Sequence, residues 1–327
     1  MRVIVTGGAG FVGRSIVRRL VGRGDRVVAI VRDPGRAGVL EDLGVEVRAG
    51  DLSNTADIVD AMRGADAVIH SAGSYRIGIP ARERPQMLES NVGAALRVMD
   101  AAATAGLGRI VHVSTVNVFG NTHGRIVDEH YRRSLDDGFL SYYDETKYLA
   151  HRAVEERISA KAPIVIAMPG HVYGPGDHSG IGEQLRGAHD GTLRYLGFQE
   201  MGMTPVYVED AAAGIIAAMD RGRIGESYVI AGQNVRLRDA MLVAARIGGH
   251  RLPPLTLPDA AIRFGSFAPA VLARAVGLPD DLREVYRAGA GVTYWASSAK
   301  AAADLGYAPR DLTSGLRAAF DRGSGAS

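Results

Sequence analysis

The chain has 327 residues, no cysteine, and 38 basic against 36 acidic side chains for a net charge of +2. Interspersed charge of this kind argues against nucleic-acid and membrane partners. The missing thiols exclude disulfides, thiolate metal sites and cysteine nucleophiles. No apolar stretch approaches the ~18 residues that span a bilayer. Nine histidines are scattered without ligand spacing, so no metal is expected.

The first residues, Arg2-Val3-Ile4-Val5-Thr6, already read as a strand, with no charged-then-apolar leader, and a cytoplasmic location is expected. Further apolar runs follow at 27–31, 45–48, 67–70, 110–113 and 164–167. Between them, apolar positions recur at helical spacing over 11–21, 56–62, 86–105 and 142–158. Strands that are apolar throughout and alternate with helices predict an α/β fold with a doubly wound, Rossmann-type parallel sheet. Beyond Pro169 glycine, proline and histidine become frequent up to Gly202. Strands are expected again at 205–208 and 228–230, and helices at 210–219, 237–247 and 259–275, with Asp210 and Asp259 as N-caps. Residues 1–169 are therefore expected to form the core, and 170–322 a smaller C-terminal α/β lobe with segments returning to the core. Residues 323–327 are expected to be a disordered tail.

The first strand runs into Thr6-Gly7-Gly8-Ala9-Gly10-Phe11-Val12-Gly13, and a helix follows. This is the strand–turn–helix setting of a dinucleotide site. Gly7 permits the tight turn, Gly10 lets backbone approach a pyrophosphate, and Gly13 lets the helix pack closely. The N–H groups at the helix start, from Gly10 through Phe11, Val12 and Gly13, and the helix dipole then face the anion.

Only three of the 38 basic residues are lysines: Lys147, Lys161 and Lys300. Lys147 stands four residues after Tyr143, so the two share a helix face. A compact ammonium beside a phenol favours the phenolate. Tyr142 lacks that spacing and is expected to pack or line a pocket.

The glycine spacing, Gly-x-x-Gly-x-x-Gly, together with the Tyr143–Lys147 pair and the strand ending Ser114-Thr115, resembles the extended short-chain dehydrogenase/reductase family of the epimerase/dehydratase type. The likeness runs from Val3 to about Phe320 and is nearest in motif to dihydroflavonol-type NADPH reductases. It implies a catalytic set of Thr115, Tyr143 and Lys147, Thr115 orienting the substrate oxygen and Tyr143 exchanging its proton. Lys147 and the positive nicotinamide are expected to lower the Tyr143 pKa. The resemblance also places Asp51 and Leu52 at the adenine, and Ser71-Ala72-Gly73 beside the cofactor. Backbone near Pro169 and Val172 is placed at the carboxamide. Asn91 has a structural role near the Tyr–Lys pair, and Lys300 no catalytic one. A homodimer through helices 86–105 and 142–158 is what the family suggests.

The second strand ends Val31-Arg32-Asp33-Pro34, with Arg32 where an acid would hold the ribose of NAD. A guanidinium suits a 2′-phosphate, with Arg36 near enough to assist, so NADP is expected before NAD. Val116 and Asn117 after Thr115 disfavour the dehydratases, which carry an acid there. The expected activity is reduction of a ketone or aldehyde, or oxidation of the alcohol. A sugar-nucleotide epimerase with bound NAD and a non-catalytic dinucleotide-binding regulator are the alternatives. Substrate contacts are expected from Tyr75, Asn117, His171, Tyr173 and Arg186. Arg76 and Arg186 would hold a diphosphate if the substrate were a sugar nucleotide. His70 is expected to be a partly buried structural histidine.

Overall fold

The apolar runs of the first half become strands, buried on both faces except at the half-buried edge run 45–48, and the amphipathic stretches between them become helices laid across the sheet. A computed structural model describes residues 1–33, 35, 37–258, 262 and 281–321. In chain order the core strands are β1 (Arg2–Thr6), β2 (Arg26–Val31), β3 (Glu46–Ala49), β4 (Ala67–His70), β5 (Ile110–Val113) and β6 (Ile164–Pro169). Four short strands and one more core strand follow: β7 (His171–Tyr173), β8 (Gly202–Met203), β9 (Pro205–Tyr207), β10 (Ser227–Ile230) and β11 (Val235–Arg236). The main sheet has the order β3-β2-β1-β4-β5-β6-β10, and every pairing in it is parallel. Strand order reverses between β1 and β4, where ligands bind in such sheets, outside the carboxyl ends of the strands.

The helices are α1 (Phe11–Gly22), α2 (Gly38–Glu41), α3 (Thr55–Met62), α4 (Arg84–Leu88), α5 (Ala94–Thr104), α6 (Tyr142–Ser159) and α7 (Gly180–His189). Then come α8 (Val208–Arg221), α9 (Leu237–Ile247), α10 (Leu282–Gly289), α11 (Ala299–Leu305) and α12 (Leu312–Asp321). Alternation of side chains along each strand divides the core. Val3, Val5 and Ile69 pack under α1, α8 and α11, whereas Ile4, Val68 and Ile110 pack under α3, α5 and α6. Ile4, Ile69, Ile110 and Ile164 are fully buried; each such side chain contributes about 1.5–3 kcal/mol. A third cluster, of Leu185, Met203, Tyr207, Met241 and Leu316 among others, holds α7, α9 and α12 together. The strand β10 and the helices α8 and α11 return from the second half to the main sheet.

Three expectations are corrected. The helix expected over 86–105 is broken by a π-helical turn, Glu89–Gly93, between α4 and α5. Its apolar spacing alone could not reveal that turn. Asp210 is not an N-cap: α8 starts at Val208, and the Asp210 carboxylate accepts the backbone N–H of Arg310 at 3.1 Å and its Nε at 2.9 Å. The helices α7, α10, α11 and α12 were not anticipated. The expected helix at 259–275 with its Asp259 cap, Arg36 and the tail lie outside the described residues. No helix among the described residues is long and apolar enough to cross a membrane.

Candidate active site

The glycine turn is built as its residue types require. Gly7 has φ +73°, and a Cβ there would meet the Ala72 backbone N at 2.6 Å. The turn after β1 is thereby pressed against Ser71-Ala72-Gly73, so two of the expected cofactor segments adjoin. The Gly10 N–H donates to the Gly7 carbonyl at 2.9 Å. A Cβ on Gly13 would stand 2.0 Å from the Gly7 oxygen. Helix α1 has neither a side-chain cap nor an acidic residue in its first turn. Its N–H groups and dipole are thus left to an anion. Phe11 and Val12, its first two residues, anchor it by packing on the third and first clusters.

Arg32 is exposed just beyond β2. Asp33 accepts the Gly35 N–H at 3.0 Å. The Asp51 carboxyl is held below its usual range, chiefly by hydrogen bonds from Ser53 and further by the charges of Arg32 and Arg97. The Leu52 carbonyl accepts Arg97 Nε at 2.6 Å. These residues form one rim at the ends of β2 and β3.

Helix α6 begins at a capping serine: Ser141 Oγ accepts the Asp144 N–H at 3.0 Å, with Asp144 and Glu145 in the first turn. This start fixes Tyr143 one turn ahead of Lys147. The Asp144 carboxylate also accepts the Leu140 N–H at 2.9 Å and pairs with Arg133 at 2.7 Å, both side chains buried. Arg133 lies over Phe139 and Tyr148. The loop before α6 is thereby pinned to the residue beside Tyr143.

Asn91, in the π turn, reaches across. Its amide accepts the Ser74 N–H at 2.7 Å, donates to the Ser74 carbonyl at 3.0 Å, and donates to Thr146 Oγ1 at 2.9 Å. Thr146 donates in turn to the Tyr143 carbonyl at 2.9 Å. The Tyr75 ring then meets Tyr143 edge-on, centroids 4.8 Å apart.

Thr115 stands just past β5 and caps a 3-10 turn, Val116–Phe119. Its hydroxyl lies near the Tyr143 phenol, where it favours the phenolate. It also lies 3.2 Å from Asn117 Oδ1, so its single proton can serve either partner. Lys147 Nζ donates to the Val113 carbonyl at 3.1 Å. Thr115, Tyr143, Lys147, Tyr75 and Asn117 are therefore brought together at the carboxyl end of β5.

Protonation in the protein alone differs from the expected lowering at Tyr143. Burial, then Tyr75 and Asp144, push the phenol up against the opposing effect of the Thr115 hydroxyl. Burial lowers the Lys147 ammonium to about 8. The sign for stability follows. Below pH 8 the ammonium is charged both folded and unfolded, and its burial penalty is fully present. Between 8 and the ordinary 10.5 only the unfolded chain keeps the proton, so stability rises with pH there. Lys147→Met is accordingly expected to stabilise the fold near pH 7, by about 3 kcal/mol at most, while removing activity. Paired thermal melts at pH 7 and 9.5 check this, the difference between variant and native protein shrinking at the higher pH.

His171 accepts the Thr204 N–H at its Nδ1 (3.3 Å) and meets Tyr294 edge-on at 5.3 Å; burial lowers its pKa to about 4. Pro169 ends β6 in the core, and Val172 lies in β7 against the third cluster.

Two expected substrate contacts are not found with the set. Tyr173 is buried in the third cluster beside Tyr207, with Gly315 of α12 packed on its hydroxyl. Arg186 donates to the Asp177 carbonyl. Arg76 pairs with Glu83 at 2.6 Å. Tyr142 points its ring at the Arg84 guanidinium, 5.1 Å away. His70 is buried and shares a 2.7 Å hydrogen bond with Thr6 Oγ1. Lys300 pairs with Glu226 at 2.6 Å. Sequence reading missed Arg133, Tyr294 and Glu284, which lie in loops or in the second half, outside any spacing motif.

Comparisons with known proteins show the family and the fold. The model of the NAD dependent epimerase/dehydratase family matches residues 3–231. A protein of Synechocystis sp., provisionally named a dihydroflavonol 4-reductase, is 30% identical over 266 residues, 78% of this chain and 74% of its own. The 2-alkyl-3-oxoalkanoate reductase of Stenotrophomonas maltophilia is 28% identical over 337 residues, covering 97% and 98% of the two chains. The crystal structure of gox2253 superposes with a TM-score of 0.81 at 29% identity, covering 99% of this chain and 98% of that one. A parallel sheet with a glycine turn at β1, a Tyr–Lys pair on α6 and a matching family model over most of its length make this chain a member of the NAD-dependent epimerase/dehydratase family, the extended short-chain dehydrogenase/reductases.

Proposed function

We propose that the protein is an NADP(H)-dependent reductase of ketones or aldehydes, working through Thr115, Tyr143 and Lys147. The observation that carries this reading is the Tyr143 phenol, close to the Thr115 hydroxyl and one helical turn from the buried Lys147. The glycine cradle fits a dinucleotide: Gly7, Gly10 and Gly13, the start of α1, Ser71-Ala72-Gly73, and backbone near Pro169 and Val172 would hold it. When bound, it supplies the hydride.

The residues of the chain do the rest. Thr115 turns its hydroxyl from Asn117 to the carbonyl oxygen and orients it. Tyr143, kept protonated by burial, donates its proton to that oxygen as general acid. Lys147, charged below about pH 8, stabilises the phenolate that remains.

Arg32 supports NADP, standing exposed at the rim while Asp33 is turned to the Gly35 N–H. The engagement of Arg76 and Arg186 with Glu83 and the Asp177 carbonyl speaks against a sugar-nucleotide diphosphate. A cytoplasmic homodimer is part of the proposal, with contact through 86–105 (the end of α4, the π turn and α5) and α6, where Leu88 and Leu149 are exposed.

Oxidation of NADPH with acetophenone, 2-octanone, benzaldehyde and a dihydroflavonol tests the reading; no turnover of any carbonyl would count against it. Arg32→Asp is expected to weaken NADPH binding by about 10- to 100-fold, the worth of a lost charged hydrogen bond, and to leave NADH binding equal or better. Titration of both dinucleotides decides, and an unchanged preference removes Arg32 from the 2′-phosphate.

A further inference from the structure

The proton donor is held from a distance by a carboxylate that no spacing motif contains. Glu284, in the first turn of α10, is 5% exposed. One of its oxygens accepts the Gly78 N–H at 2.5 Å, and the other accepts the Tyr142 N–H. Gly78 closes the loop that carries Tyr75, and Tyr142 is the first residue of α6, beside Tyr143. The two tyrosines that meet edge-on are thus tied to one carboxylate.

The seat of Glu284 is itself built. Asp281 caps its N–H at 3.1 Å, and the Asp281 N–H donates to the Gly78 carbonyl at 3.1 Å. Arg84 approaches Asp281 at 3.5 Å while lying over the Tyr142 ring, and Arg287 donates to the Phe139 carbonyl. The stretch 281–287 therefore clasps both segments that flank the proton donor.

We infer that Glu284 is a positioning residue for Tyr143 and Tyr75, an inference that rests on Tyr143 being the proton donor. The chemistry demands a carboxylate. Two N–H donors face two acceptor oxygens, and an amide of the same shape would turn its NH₂ on one of them. The negative charge also complements the orphan N–H groups and the dipole at the start of α6.

The test is Glu284→Gln in the full chain, assayed with NADPH and the best carbonyl of the panel above, beside Tyr143→Phe. A displaced proton donor is expected to lower kcat by about 10- to 100-fold, with KM and the NADPH Kd within about twofold of the native values. Native kcat in Glu284→Gln, or KM and Kd deteriorating in step with kcat, overturns the inference. Should that variant not fold, Asp281→Ala keeps the Glu284 carboxylate and removes its cap, together with the ion pair to Arg84. A severalfold loss of kcat at native KM is then expected, and a native kcat overturns it. Full turnover by Tyr143→Phe would instead refute the underlying reading, so the two failures are distinguishable.

Discussion

Tyr143→Phe is expected to lower kcat for carbonyl reduction by about 10²- to 10⁴-fold, the range that a positioned general acid contributes, with NADPH binding retained. The substitution removes one oxygen from a ring fixed on three sides. Tyr75 meets the ring edge-on, Thr146 donates to the backbone carbonyl of Tyr143, and the Thr115 hydroxyl stands near the phenol. Phenylalanine keeps the ring and the packing, so loss of rate at constant dinucleotide affinity isolates the proton. Steady-state kinetics and an NADPH titration on the same preparation measure both. A variant that turns over at the native rate removes Tyr143 from the mechanism.

Gly13→Ala is expected to abolish measurable NADPH binding and to destabilise the fold by about 1–3 kcal/mol, as overpacking does. The added methyl would stand 2.0 Å from the Gly7 carbonyl oxygen and 2.9 Å from Gly8 Cα. To admit it, α1 must lift away from the turn whose N–H groups face the anion. Gly22→Ala, in the last turn of the same helix, is the control. Nothing lies within 4 Å of a Cβ there, and alanine is the better helix former by about 1 kcal/mol. Dinucleotide titration and thermal melts separate the two. Native NADPH affinity in Gly13→Ala contradicts the role given to the turn.

Much of this was legible before any coordinates because the signals are local. Continuous apolar runs mark strands covered on both faces, and Gly7, Gly10 and Gly13 mark the one turn at the start of such a sheet. The four-residue step from Tyr143 to Lys147 places both on one face. Tyr173 shows where local reading ends: its motif placed it at the substrate, but α12 packs over it, and that helix lies in a stretch without a recognised pattern. Asn91 was seen, yet not its π turn, since apolar residues there keep the spacing of an α-helix. Glu284 lies 206 residues from Gly78 and 142 from Tyr142, so its pairing exists only in the folded chain. The push of burial on the Tyr143 phenol in the chain alone is hidden for a similar reason. A sequence gives the neighbouring ammonium but not the extent of burial, and burial dominates.

Transfer of deuterium tests the central claim most directly. With NADPH carrying deuterium at both nicotinamide C4 positions and a carbonyl that turns over, the alcohol formed is predicted to carry deuterium on its carbinol carbon. One NADP⁺ is predicted for each alcohol, and Tyr143→Phe should suppress both together. A substrate returned with inverted configuration and no net oxidation of the dinucleotide would contradict the account, as would an alcohol free of deuterium.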